Sequence, residues 1–235
     1  MKCAHNAATL LLLLLLLLPL VISVFSTAPV MAQESQQGQD LDRRVRDFLD
    51  RNRRAWRDMN VPMVDGQKLY DLIVENKFTR AVEVGTSTGH SGIWIAWALS
   101  KTGGKLTTIE INERRYRQAL ANFEEAGLSD YIDARLADAH ELVPELEGPF
   151  DFIFVDADKD WYLQYFRWLY PKLEVGGCFT AHNISTYGGG RRRSGGMRGT
   201  SELLAELQNT PDLETEVFQS GGGLSISFRK PPDSP

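Results

Sequence analysis

Cysteine is scarce. Cys3 and Cys178 are the only two in 235 residues, and they lie too far apart in position and context to form a disulfide framework. Stability must therefore come from a packed core. Positive charge is not in excess either: 26 Lys and Arg stand against 31 Asp and Glu, for a formal charge of −5. That balance removes any global attraction for nucleic acid or anionic lipid, so a basic partner site must be local. There is no internal repeat and no GxGxxG dinucleotide fingerprint. With 43% hydrophobic and 24% charged residues, collagenous, low-complexity and largely disordered chains are excluded, and one domain is the default.

One long apolar run is present, at the start. Lys2 precedes Leu10 to Leu18, which continue through Pro19 to Phe25, and Val30-Met31-Ala32 puts small residues at both cleavage-determining positions. Residues 1–32 thus read as a secretory signal peptide, and the mature chain as secreted or periplasmic. The alternative is an uncleaved membrane anchor, because the apolar stretch nears bilayer-spanning length. Pro19 and the short charged flank favour cleavage, whereas the arginines between Arg43 and Arg57 favour a cytoplasmic flank. Cys178 alone would remain after export, which an oxidising compartment tolerates.

Residues 33–39 read as a polar linker, residues 40–230 as a single domain and residues 231–235 as a tail. From Asp40 onward Val45, Phe48, Leu49, Trp56 and Met59 share one helical face, which predicts an amphipathic helix with its arginines in water. Apolar runs then alternate with helical patterns. Ala81–Val84, Leu106–Ile109, Tyr131–Leu136, Phe150–Val155 and Cys178–Ala181 read as strands; Ser91–Leu99, Arg114–Ala126, His140–Leu146 and Trp161–Leu173 read as helices. This alternation predicts an α/β fold with a doubly wound, mostly parallel sheet. The tail breaks the rhythm: Leu213–Phe218 and Leu224–Phe228 flank Gly221-Gly222-Gly223 and predict a C-terminal antiparallel hairpin.

In AVEVGTSTGHSG, Glu83, Gly85 and Gly89 fall where the first strand turns into a helix, the carboxyl edge at which open α/β sheets bind ligands. The glycines are four apart and Ser87 stands where a dinucleotide fold would have its second glycine. The acid beside the turn would repel a pyrophosphate and welcome a cationic ligand with an amino group. Glu110, at the end of the second strand, is placed to accept hydrogen bonds from ribose hydroxyls. A glycine turn chosen for helix packing and a surface acid remain the plainer reading of the same residues.

The run EVGTSTGHSG, the acid in TTIEIN, the block FVDADKDWY and the strand GGCFTAHN resemble, in order and spacing, the cation-dependent catechol and caffeoyl-CoA type O-methyltransferases, which use S-adenosylmethionine. The similarity spans Val61 to Lys230. It implies a Rossmann-like, seven-stranded sheet, in agreement with the hairpin. It further implies that Val64 and Gly66 border the methionine part of the cofactor, with Glu83, Gly85 and Ser91 around its amino-acid end. Glu110 would hold the ribose, Asp138 and Ala139 would lie beside the adenine, and Asp158 would face the cofactor. Asp156, His182 and Asn183 would be metal ligands and Lys159 the base. The expected reaction is methyl transfer to a hydroxyl of a small catechol-like aromatic, with metal assistance. Relatives often form dimers.

Methyl transfer from a sulfonium is an in-line displacement, so the acceptor oxygen must be aligned and made anionic. A divalent ion together with a desolvated Lys159 would do both. His182 departs from the family pattern, which carries a second aspartate there. A neutral imidazole weakens the match to magnesium, so the metal is softer (manganese, iron, cobalt or zinc) or absent. In the absence of metal, His182 could act as the base, or it could only pack near the crevice. As plainer readings, Lys159 is a solvent lysine and Asp156 a helix cap. The stretch ISTYGGGRRRSGGMRG, with Arg191, Arg192, Arg193 and Arg198, is placed for a lid that grips an acidic acceptor, or is simply a solvated loop. A secreted protein that binds nucleosides or phenolics without turnover is the competing class, favoured by His182 and opposed by Glu110 and Lys159. A nicotinamide oxidoreductase is disfavoured by Glu83.

Overall fold

Five apolar runs, each closed by a turn or a helix cap, become the parallel strands of one sheet. The structure, a computed structural model, describes residues 27–56, 59–185 and 196–231. The apolar run of the expected signal segment and Arg191, Arg192 and Arg193 lie outside the described residues, and no described helix is long and apolar enough to cross a membrane. The chain divides into two units, Met1–Arg43 and Arg44–Pro235; the sheet belongs to the second.

In chain order the elements are α1 (Thr27–Arg51), α2 (Met63–Asn76), β1 (Arg80–Val84), α3 (His90–Thr102), β2 (Lys105–Glu110), α4 (Glu113–Ala126) and β3 (Ile132–Leu136). There follow α5 (Ala139–Glu145), β4 (Phe150–Val155), α6 (Tyr162–Leu169), β5 (Leu173–His182), α7 (Gly196–Asn209), β6 (Leu213–Phe218) and β7 (Leu224–Arg229). The sheet order is β3-β2-β1-β4-β5-β7-β6. Strands β1 to β5 pair in parallel, β7 runs antiparallel to β5, and β6 antiparallel to β7. The expected doubly wound sheet with a terminal hairpin is therefore the observed fold.

Side-chain burial explains the layers. On one face Val82, Val84, Ile153, Val155 and Phe179 pack with Tyr162, Tyr165, Phe166 and Leu169 of α6 and with Leu203 and Leu207 of α7. α3 is buried over most of its length, from His90 to Leu99, and its Trp97 meets Tyr70 of α2 at 4.7 Å between ring centres. Local chemistry sets the helix ends. Asn112 caps α4 by accepting from Arg115 N at 3.0 Å, and Asp138 caps α5 by accepting from His140 N at 2.9 Å.

Three expectations change, and a fourth gains a contact. Residues 33–39 are helical, not a linker, since Gln, Glu and Ser propagate a helix and no proline interrupts them. The first helix ends at Arg51 and does not continue to Met59, which is 64% exposed. Arg44 stays on the exposed face, and its guanidinium also donates to the carbonyls of Glu124 and Glu125 at 2.6 and 2.8 Å, at the C-terminal end of α4. The helix expected over Trp161–Leu173 is α6 with short 3₁₀ turns at Lys159–Trp161 and Tyr170–Lys172. Pro171 accompanies the second turn, and Leu173 already starts β5.

The strand order reverses between β1 and β4, with β2 on one side and β5 on the other, which opens a crevice at their carboxyl ends. Gly85 makes this close approach possible. Its φ is 103°, and a Cβ there would lie 2.7 Å from the Asp156 carbonyl oxygen. Gly85→Ala is expected to lower the unfolding free energy by about 1–3 kcal/mol, read from the urea midpoint; an unchanged midpoint would show that the two strand ends move apart freely.

Candidate active site

Four strand ends and two helix starts deliver the side chains. Glu83 lies inside β1, fully buried. Its Oε2 accepts from the Thr108 hydroxyl at 2.5 Å, while its Oε1 has no hydrogen-bond partner among the described residues. Burial pushes its pKa up to about 7, against hydrogen bonds from Ser91 and Thr108 that pull it down. A buried, half-partnered carboxyl of this kind is suited to a ligand that brings a cation and N–H donors.

Glu110, also buried, ends β2. Its two oxygens accept from Ser87 N at 2.7 Å and Asn112 N at 2.9 Å. Ser87 has a φ of 49°, so Glu110 steadies the turn after β1 while keeping lone pairs for a further donor. Beyond it, Ala137 N donates to Glu110 O at 3.0 Å and brings up Asp138 and Ala139 at the start of α5. His140 stacks on Trp161 with ring centres 3.9 Å apart, and its Nε2 lies 3.7 Å from Asp158. The residues expected at the ribose and adenine ends thus share one stretch of rim. Val64 and Gly66 sit on the first turn of α2. Gly66 has a packing reason of its own, because a Cβ there would fall 2.2 Å from the Trp94 ring.

The other part of the crevice is built around His182, the last residue of β5. Its Nδ1 faces Asp156 Oδ2 at 3.2 Å and its Nε2 faces Asp65 Oδ2 at 3.0 Å. Burial alone would lower the ring's pKa, but the hydrogen bonds and charges of Asp156 and Asp65 outweigh it and hold the value at about 9. Asp65 is fully buried and also accepts from Gly222 N at 2.7 Å. The Tyr162 hydroxyl lies 3.3 Å from Asp156 Oδ1 and 3.2 Å from the His182 carbonyl. Lys159 Nζ stands 3.7 Å from Asp156 Oδ1, partly exposed, over the Tyr162 ring. Asn183 follows in the left-handed region at φ 59°.

Two expectations meet this geometry. A base must have a free nitrogen, and both ring nitrogens of His182 are engaged, so His182 is not arranged to take a proton from a substrate. The set expected to hold a divalent ion, Asp156, His182 and Asn183, does not fit one either. The lone-pair directions of the ring point at carboxylates, and both oxygens of Asp156 already face polar partners. No group of three or more His, Cys, Asp or Glu among the described residues converges on a point that would hold a metal. Arg198, expected on a loop, lies in the first turn of α7 and pairs with Glu202 at 2.7 Å. Asp65 joins the site unannounced, its only signal being the histidine at 182, which calls for acidic partners. Tyr162, the last residue of FVDADKDWY, and Gly222, in the glycine turn of the hairpin, join it from motifs that gave them no such role.

A family model described as O-methyltransferase matches residues 33–229. A catechol O-methyltransferase of Niastella koreensis is 38% identical over 107 residues, covering 44% of this chain and 48% of that protein. A caffeoyl-CoA O-methyltransferase 1 of Eucalyptus globulus is 36% identical over 133 residues, covering 54% of each. The chain thus spans about half the length of the curated relatives it matches. The crystal structure of an O-methyltransferase from Bacillus cereus in complex with SAH superposes with a TM-score of 0.68 at 24% identity, over 79% of this chain and 90% of that one. That likeness establishes the fold.

Two outcomes follow from the site. Glu83 holds its proton up to about pH 7 in place of the usual 4.5. Its contribution to stability is therefore present below pH 4.5 and lost as pH rises through 7, on the order of 3 kcal/mol in all. Glu83→Gln escapes this loss, so its urea midpoint should gain on the wild type across that window; a constant difference would contradict the burial argument. Asp65→Asn leaves the buried imidazole with one charged partner in place of two and should cost about 3 kcal/mol in denaturant unfolding at neutral pH. A loss under about 1 kcal/mol would mean that the pairing contributes little.

Proposed function

The chain belongs to the O-methyltransferase family, and from that membership we propose that it moves a methyl group from S-adenosylmethionine to the hydroxyl of a small aromatic acceptor. The observation that carries this reading is the buried Glu83, whose Oε1, near the carboxyl end of β1, has no hydrogen-bond partner among the described residues. A diphosphate would be repelled there, and the ammonium of an amino-acid-bearing cation would complete the carboxylate. Glu110, two backbone N–H groups already on its oxygens, is set to receive ribose hydroxyls at the end of β2. Asp138, Ala139 and Asp158 line the continuation of the same rim. Bound there, the cofactor supplies an electrophilic methyl group on a sulfonium, open to in-line attack by oxygen.

The proton chemistry falls to Lys159. Its Nζ is at the mouth, partly exposed, and Asp156 at 3.7 Å orients it. Asp156 is in turn steadied by His182 at 3.2 Å, so Lys159 works against an acid whose charge is shared. Once Lys159 has released its own proton to solvent, its amine can take the proton of a hydroxyl presented to the crevice, and the ammonium so formed stabilises the oxyanion that attacks. The apolar run at Leu10–Leu18 supports a further part of the reading, export of the domain.

Incubation with methyl-labelled S-adenosylmethionine and a panel of phenols and catechols tests the proposal. Label is expected on an acceptor oxygen; affinity for S-adenosylhomocysteine without transfer to any acceptor would favour a binding protein. Lys159→Met should lower kcat by about a hundredfold or more while leaving S-adenosylhomocysteine affinity unchanged. An equal loss of both would make Lys159 a structural residue.

A further inference from the structure

We infer that the His182 ring stands where a divalent cation would stand, so that this crevice takes no metal between the ends of β4 and β5. The inference builds on the O-methyltransferase reading above, and concerns a separate property of the same crevice.

A histidine binds a metal through the lone pair of one ring nitrogen, in the plane of the ring. In this chain both in-plane directions end on carboxylates, Asp156 Oδ2 at 3.2 Å and Asp65 Oδ2 at 3.0 Å. The two acids lie on opposite sides of the ring and cannot converge on a common ion without displacing it. Both oxygens of Asp156 already face partners, since Oδ1 lies 3.3 Å from the Tyr162 hydroxyl and 3.7 Å from Lys159 Nζ. Asn183 alone is a poor site for a hard cation, which takes six or more oxygen ligands.

The hairpin closes the remaining space. A Cβ on Gly221 would lie 1.9 Å from Asp65 Oδ1, and one on Gly222 would lie 2.4 Å from His182 Nε2. The loop between β6 and β7 is pressed on the pair, and Gly222 N donates to Asp65 at 2.7 Å. An ion with its ligand shell needs room that this backbone occupies. Asp65 is the counterpart of the change at 182: a histidine facing one acid would be half satisfied, and the first turn of α2 supplies the second acid, wholly buried and 117 residues away in sequence. The ring thereby links β4, β5 and α2 as an ion coordinated by the same elements would.

Titration of the wild-type chain with Mn²⁺, following the free ion by electron paramagnetic resonance, decides the point. The expected result is that all manganese stays free and the melting temperature does not move. His182→Asp should take up one equivalent, with a melting shift of about 5 °C or more at metal roughly a hundred times its Kd. Uptake of one equivalent by the wild type, abolished in Asp156→Asn, overturns the inference. So does an H182D chain that folds and still leaves manganese free. Calorimetry with S-adenosylhomocysteine on the same wild-type sample keeps the two readings apart. Manganese uptake with cofactor-product binding removes this inference alone, and failure to bind S-adenosylhomocysteine removes the O-methyltransferase reading alone.

Discussion

A single imidazole held between the buried Asp65 and the partly buried Asp156 organises the crevice. His182 closes β5, Asp156 follows β4, Asp65 begins α2, and the glycine backbone of the β6–β7 loop lies over them. Each group alone would be costly to bury, since a lone carboxylate or imidazolium in an apolar interior forfeits its hydration. Together they satisfy one another, and removal of any one leaves the others uncompensated. That mutual dependence ties four elements that are distant in sequence to a common point, and it gives Asp156 the fixed position from which it orients Lys159.

The crevice exists because the strand order reverses between β1 and β4, and its two halves differ in charge for a physical reason. On the β1–β2 side the buried acids Glu83 and Glu110 have no basic partner among the described residues, an arrangement that favours a cationic ligand. Toward β4 and β5 the acids are matched by His182 and Lys159, so negative charge that develops on an incoming oxygen meets a nearby ammonium. One half holds a positively charged donor and the other prepares an anionic acceptor. Both rest on strands, whose pairing fixes them more firmly than loops would.

Much of the fold was legible because the strands are apolar runs bounded by turns. Phe150–Val155 and Leu213–Phe218 coincide with the observed strands, and β1, β2 and β3 differ from their sequence spans by one residue at an end or two. Two helices escaped notice. α2 carries Gly66 and a narrow apolar stripe, and α7 begins in glycine-rich sequence that reads as loop. Of the site, Glu83, Glu110, Asp156 and Lys159 were visible because they close strands or open helices at the ligand-binding rim. Asp65 was not, since its partner is set by the tertiary fold, across 117 residues, and no local pattern marks such a pairing. His182 was visible as a departure, but its meaning depended on that hidden acid. Gly66 and Gly85 show the converse: their glycines answer to Trp94 and to the Asp156 backbone.

Histidine-labelled ¹⁵N magnetic resonance of the His182 ring, assigned by its loss in a His182 variant, addresses the imidazole bridge itself. Two acids facing two ring nitrogens require both nitrogens to carry protons at neutral pH, in keeping with a pKa held up to about 9. Two protonated ring resonances, unmoved by added manganese, are the predicted result. One protonated and one bare nitrogen at neutral pH, or a ring signal broadened by the ion, would contradict it.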